Sequence, residues 1–230
     1  SWVLLSAARP PWNVIDNVYA HHNGIYGMLI AHAQAFLVDN CRVEYNNWRG
    51  FEAGTVAYDA GGIKFFRTRH IEVDNYVGYR NYGHGLWFDK DGRDISVTNS
   101  NFTFNMYRGL FIERCFGPVT VDNCFMSHNS RPLDDNRIYR YRSSAMSISA
   151  TDVAVISNSF ILDQMEYPVL IHSVDYLMED GIIEPYGDLI YFQAWNNEYH
   201  NNVFSKPNDD FTFFTFGVDP FMSRCYYFYH

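Results

Sequence analysis

Two carboxylates, Asp89 and Glu113, are the residues best suited to chemistry. Each ends a short alternating segment, Leu86-Trp87-Phe88-Asp89 and Leu110-Phe111-Ile112-Glu113. In an extended segment successive side chains point to opposite faces, so Asp89 shares an outward face with Trp87, and Glu113 with Phe111. If the two segments lie side by side, the carboxylates stand ~5 Å apart. Like charges that close raise the pKa of one member, which places an acid beside a base at neutral pH. Lys64, in the equivalent segment Ile63-Lys64-Phe65-Phe66, is within side-chain reach of Asp89. Trp87 and Phe111 present flat rings suited to stacking on sugars. Arg67, Lys90 and Arg114 follow the three segments directly and suit an anionic sugar, and His84 borders the same face as a further acid/base candidate. The turn Asp89-Lys90-Asp91-Gly92 has carboxylates that suit Ca2+, but it lacks the ligand spacing of an EF-hand loop. The plainer alternative is a solvated pair, with Lys64, Lys90 and Arg114 as ion-pair partners and the two rings packed under a neighbouring loop.

These segments are positioned by an internal repeat. Asn recurs at 17, 40, 75, 99, 123, 158 and 202, a period near 24 with three insertions. Six residues after each stands a second polar residue: Asn23, Asn46, Asn81, Asn105, Asn129, Gln164 and Asn208. Four residues further comes Gly27, Gly50, Gly85 or Gly109 in the first four repeats. Before the first Asn, apolar residues alternate with polar ones, as in Ile71-Glu72-Val73-Asp74 and Ile95-Ser96-Val97-Thr98. Period two marks a strand with one buried face. A second strand carries the candidate residues, and its outward positions form two rows: Leu29, Lys64, Trp87, Phe111, Ser147, Leu170, and Ala31, Phe66, Asp89, Glu113, Ser149, His172. A unit this short cannot bury its face alone, so copies must stack, each strand pairing in parallel with its counterpart in the next coil. Asn tolerates the left-handed backbone of such turns and can bond to the Asn above it. Glycine is expected to supply the same conformation at the other corner.

Insertions at 51–61 and 130–143 precede strands of the candidate face, and a third spans 174–195. Their content, including Tyr58, Glu52, Asp59, Asp134, Asp135, Arg137, Arg140, Tyr139 and Tyr141, is the kind from which solenoids build a cleft. Residues 1–11 form a lead-in, 12–208 the solenoid, and 209–230 an aromatic tail or cap. No amphipathic helix precedes Trp12, so another domain or chain is expected to cover exposed strand edges.

Composition narrows the function. The 230 residues are 47% hydrophobic and 18% aromatic, enough for a large core, and the net charge of −9 argues against general nucleic-acid binding. No apolar stretch is long enough to span a bilayer as a helix. The four cysteines lack metal-ligand spacing. Cys41 and Cys124 occupy the same repeat position three coils apart, too far for a disulfide, and are expected as buried thiols or semi-buried turn residues. Dinucleotide, P-loop and serine-hydrolase motifs are missing.

The pattern V-x-N-x(5)-N-x(3)-G, with GGIKFF, GHGLWFD and RGLFIE as successive strands, resembles the right-handed parallel β-helix proteins of the pectate-lyase-like class over about residues 12–172. The resemblance implies an all-β solenoid of about six to seven coils and an extracellular protein whose partner is a polysaccharide. It leaves three activities open: hydrolysis with Asp89 and Glu113 as acid and base or nucleophile; elimination with Lys64 or an Arg as base, with or without Ca2+; and non-catalytic binding, as in an adhesin or fibre segment. For hydrolysis, carboxyl separation would decide between retention (~5 Å) and inversion (~6.5–9.5 Å).

Overall fold

The structure, a computed structural model, describes residues 13–48, 60–129, 144–149, 152–162, 167–173, 198–205 and 214–218. Among the described residues every regular element is a β-strand. The strands make three parallel sheets of seven, and each coil contributes one strand to each sheet. Sheet I runs from Asn13–Asp16 to Glu198–His200, and sheet II from Tyr19–His21 to Val203–Ser205. Sheet III stacks Tyr26–Ala31, Gly61–Phe66, His84–Asp89, Leu110–Glu113, Ser144–Ser149, Tyr167–Ser173 and Phe214–Val218. The last of these is a strand inside the aromatic tail, in register with Tyr167–Ser173.

Both outward rows of sheet III pair as the repeat implies: Leu29, Lys64, Trp87, Phe111, Ser147 and Leu170 are successive partners, and so are Ala31, Phe66, Asp89, Glu113, Ser149 and His172. The alternate residues Ile63, Phe65, Leu86, Phe88, Leu110, Ile112, Met146 and Ile148 fill the interior, with Phe65 stacked 5.0 Å from Phe88. From sheet I, Ile71, Val73, Ile95, Val97, Val119 and Val121 meet them.

Sheet II is not evident from the alternation, because its strands have three residues and only the middle one faces inward. These are Val43, Gly78, Phe102 and Met126 in successive coils. Gly78 is the exception in size, and the fully buried Tyr76 occupies the room it leaves: a β-carbon on Gly78 would stand 3.0 Å from Tyr76 Cε1. The Tyr76 hydroxyl donates to the Gly85 carbonyl at 2.8 Å, so its polar tip is satisfied inside the core.

Three details of the repeat differ from expectation. At the corner between sheets I and II, Asn17, Asn40, Asn75, Asn99, Asn123 and Asn158 are left-handed, but in the last coil the residue is Asn201; Asn202 instead accepts from the Ser159 amide. Asn201 and Asn202 are adjacent, so spacing alone does not choose between them. At the corner between sheets II and III the left-handed residues include His22, Tyr45, Arg80, Phe104 and His128, none of them glycine. The glycines form a separate column, Gly27, Gly62, Gly85 and Gly109, with Gly62 where spacing pointed to Gly50. The reason for glycine is close approach: a β-carbon would meet the next coil's carbonyl at 2.9, 2.1, 2.5 and 2.9 Å in turn.

Among the described residues the second Asn row forms the expected ladder, while Gln164 and Asn208 lie outside them. Asn46, Asn81, Asn105 and Asn129 are fully buried, and each side-chain oxygen accepts from the backbone and amide of the preceding coil's Asn at 2.9–3.1 Å. Cys41, Cys115 and Cys124 are buried free thiols; Cys225 lies outside the described residues. Burial pushes the Cys124 thiol up to about 12.

Candidate active site

The candidate face is built by three consecutive strands of sheet III, Gly61–Phe66, His84–Asp89 and Leu110–Glu113. Their inward residues lock the strands against the core, so the outward side chains stand at fixed coil spacing. The outward side chains are not solvated as alternation alone suggests. Lys64, Trp87, Asp89, Phe111 and Glu113 are only 4–7% exposed. Much of the cover is mutual. The Lys64 ammonium lies 3.5 Å from the Trp87 ring centroid, Trp87 stacks on Phe111 at 5.5 Å, and the Arg108 guanidinium lies 4.1 Å over Phe111. His84, also buried, contacts Trp87, Phe111 and Tyr107 with ring centroids 5.1, 5.1 and 5.6 Å away.

The charged groups form a quartet. Lys64 Nζ is 3.1 Å from Asp89 Oδ2, and Arg114 Nη2 is 3.6 Å from Asp89 Oδ1 and 3.2 Å from Glu113 Oε1. The Trp87 indole N–H donates to Glu113 Oε2 at 3.2 Å. Both oxygens of Glu113 thus receive donors, whereas no hydrogen bond reaches Asp89 Oδ1. Burial, and then the neighbouring Glu113 charge, raise the Asp89 pKa against the opposing pull of Lys64 and Arg114. A buried carboxylate whose proton affinity is raised next to a second carboxylate is a common feature of acid/base sites.

Other sequence candidates fall around this centre. Arg67 and Lys90 sit at the strand ends with left-handed backbones, their charges 5.4 and 5.7 Å from the Phe66 ring. Non-glycine residues in this conformation cost roughly 1–2 kcal/mol each. Tyr58 and the other named residues of the 51–59 and 130–143 segments lie outside the described residues. The calcium turn does not fit the ion: Asp89 holds Lys64, while Asp91 accepts from Arg69 at 3.1 Å and from Arg93 at 3.0 and 3.2 Å. Among the described residues no group of three or more His, Cys, Asp or Glu side chains is arranged for a metal. Arg108 and Tyr107 belong to the site although nothing in the spacing singles them out. Their only sequence signal is position, just before the column glycine Gly109.

A family profile described as "Right handed beta helix region" matches residues 4–133. Among solved structures, the A-module of the Azotobacter vinelandii mannuronan C-5 epimerase AlgE4 superposes with a TM-score of 0.62 at 16% identity, over 90% of this chain and 58% of that one. The AlgE6 A-module from the same organism gives 0.56 at 20% identity, over 87% and 50%. A pectate lyase, Pel9A, gives 0.43 at 11% identity, over 84% and 55%. The chain therefore spans between half and three fifths of these proteins' lengths, and at such identities the likeness concerns the fold. No curated protein sequence matches the chain.

Proposed function

The chain belongs to the right-handed parallel β-helix proteins of the pectate-lyase-like class, and on that premise we propose that it cleaves glycosidic bonds of a polysaccharide by acid/base hydrolysis at Asp89 and Glu113. The observation that carries this reading is the buried, in-register carboxylate pair held by one lysine and one arginine, with the proton affinity of Asp89 raised. Desolvating four charges is costly, and a purely apolar row would cover the sheet at least as well.

In this mechanism Asp89 gives its proton to the glycosidic oxygen as that oxygen leaves the anomeric carbon. At this in-register spacing Glu113 attacks the same carbon as that bond breaks, and water, losing its proton to Asp89, then releases the sugar from Glu113. Lys64 and Arg114 then stabilise the carboxylate formed on Asp89. Their side chains are long and rotamer-rich, so an entering sugar displaces them without moving the strands. Trp87 and Phe111 line the same row, and extracellular polysaccharides are the proposed partners.

Elimination by Lys64 is less well supported. Its nitrogen is engaged by the Asp89 carboxylate at 3.1 Å and by the Trp87 ring at 3.5 Å, so it must leave both to reach a substrate. A non-catalytic reading is favoured by a different observation: the four charges pair with one another, and the Trp87 and Phe111 rings are covered by Lys64, Arg108 and each other. In that case the row is an outer mini-core.

Incubation with neutral and uronate polysaccharides, with and without Ca2+, separates the three. New reducing ends without ultraviolet absorbance are the expected result. An absorbing unsaturated product would move the assignment to elimination, and folded protein inert on every substrate would leave the binding reading.

A further inference from the structure

The corners of the solenoid pass through the same left-handed backbone with different residues. Between sheets I and II the residue is Asn in successive coils, the side chain that best tolerates this conformation after glycine. After sheet III it is His32, Arg67, Lys90 or Arg114, which close the strands of the candidate face. Between sheets II and III it is His22, Tyr45, Arg80, Phe104 or His128. Bulky residues are strained there, and Asn would turn the same corner with less strain. Strain kept where the fold does not require it points to a use for the side chains.

The rings at this corner touch in single file. His22 stacks on Tyr45 at 5.2 Å, and Tyr45 meets Tyr79, from the adjoining strand position, at 5.9 Å. Tyr79 meets Phe104 at 5.8 Å, and Phe104 stacks on His128 at 4.7 Å. The Arg80 guanidinium bridges two of them, 5.3 Å from the Tyr79 centroid and 5.5 Å from that of Phe104. At its first end the column broadens. Tyr19 and Trp48 are 55% and 45% exposed, yet both are held. The Tyr19 hydroxyl donates to Glu44 Oε1, and its ring stacks on His21 at 4.4 Å. The Trp48 indole N–H donates to the His22 carbonyl at 2.9 Å. Glu44 is only 5% exposed, and Arg42 holds its other oxygen at 2.6 Å. A buried carboxylate outside the candidate row thus fixes an exposed ring in one orientation, which preorganises a binding surface.

We propose that this column is a second polysaccharide-binding strip, on which an extended sugar chain lies along the solenoid axis beside the candidate row. The inference takes from the proposed function the class of partner, and not the cleavage.

Shape and chemistry select that occupant. The column crosses successive coils at ~4.8 Å each, so it is about 20 Å long and one ring wide. Its area is on the order of 150 Å², far below the ~800 Å² per partner of a stable protein interface. A single polymer strand needs no more width. Pyranose rings have apolar C–H faces that pack on aromatic rings, and hydroxyls that can pair with Arg42 and Arg80 at the rim. Nucleobases would also stack, but a chain of net charge −9 repels a polyphosphate.

The test is affinity electrophoresis in cold native gels containing polygalacturonate, alginate, xylan or a β-glucan. Retardation by at least one polymer is expected. Tyr45→Asn with Phe104→Asn puts at the column the residue that the I/II corner uses. It should raise the dissociation constant at least about tenfold, while relief of strain offsets the lost ring contacts and keeps the melting temperature level. If that variant is less stable or does not fold, Tyr19→Ala decides, because it leaves the corner backbone as it is; binding should fall about fivefold at an unchanged melting temperature. Unaltered binding in the folded variants would overturn the proposal, as would a protein retarded by no polymer. Self-association that the ring variants abolish, without retardation on any gel, would assign the column to a second copy of the chain instead. Failure of the hydrolytic reading would look different: ring-dependent retardation present, and no polysaccharide cleaved.

Discussion

Sheets I and III each carry in-register carboxylates on their outer faces, with different consequences. On sheet I, Asp39 pairs in register with Asp74, as Asp89 does with Glu113 on sheet III. The sheet I pair is half-buried, and Asp74 accepts from the Thr98 hydroxyl at 2.7 Å and the Asn99 amide at 2.6 Å. The sheet III pair is buried and held by Lys64 and Arg114. Register and coil spacing are therefore not what makes a candidate site. The adjoining row decides it. On sheet I that row offers Glu72, Ser96 and Thr120, which leave room for water; on sheet III it offers Lys64, Trp87 and Phe111, which close over the carboxylates.

The comparison is broken most directly at the carboxylates. Asp89→Asn and Glu113→Gln should each lower polysaccharide turnover by about 10²–10⁴-fold, while Asp74→Asn on sheet I leaves it near the unaltered level. Reducing-end assays on the three variants check this, and equal activity in all of them would remove the distinction between the faces.

Lys64→Met tests burial itself. It leaves Asp89 without its nearest cation and should cost about 3–5 kcal/mol in urea unfolding. The exposed Arg93–Asp91 pair is the control, and Arg93→Ala should cost under about 1 kcal/mol.

Between these lies the Asn ladder. Asn81→Ala removes a buried side chain that bonds coils on both sides and should cost about 1–3 kcal/mol, whereas exposed Asn75→Ala at the opposite corner should cost less. Thermal melts of the two variants rank them.

The smallest effect is a pH slope. The folded-state pKa of Asp89 is raised, so over the window from the ordinary carboxylate value up to the raised one the folded state binds more protons than the unfolded. Stability from this group therefore falls as pH rises through that window. Denaturation midpoints across the acid-to-neutral range should show the decline, and Asp89→Asn should flatten it.

Much of this was legible in the residues. Alternation separated inward from outward positions on sheets I and III, and the repeat of about 24 aligned Lys64, Trp87 and Phe111 and set Asp89 beside Glu113. Sheet II was not legible, since three-residue strands with one inward residue carry too little period to detect, and Gly78 in place of Val43 or Phe102 weakens even that. Nor was the glycine column: spacing pointed to Gly50, and only the close carbonyl of the next coil shows that Gly62 holds that place.

What the chain determines by itself is the solenoid and the registers of sheets I and III, because period and turn residues are local properties that repeat. What only the tertiary structure decided is how deep the outer face lies and where each polar atom points. Alternation states that Asp89 faces outward, but burial depends on whether Lys64 folds over Trp87 and whether Arg108 lies across Phe111. The same holds for the Trp87 N–H, whose contact with Glu113 follows from the packing of His84 and Phe111 around the indole. Those contacts join residues from different coils through rotamer choices, and rotamers are selected by packing rather than by sequence spacing.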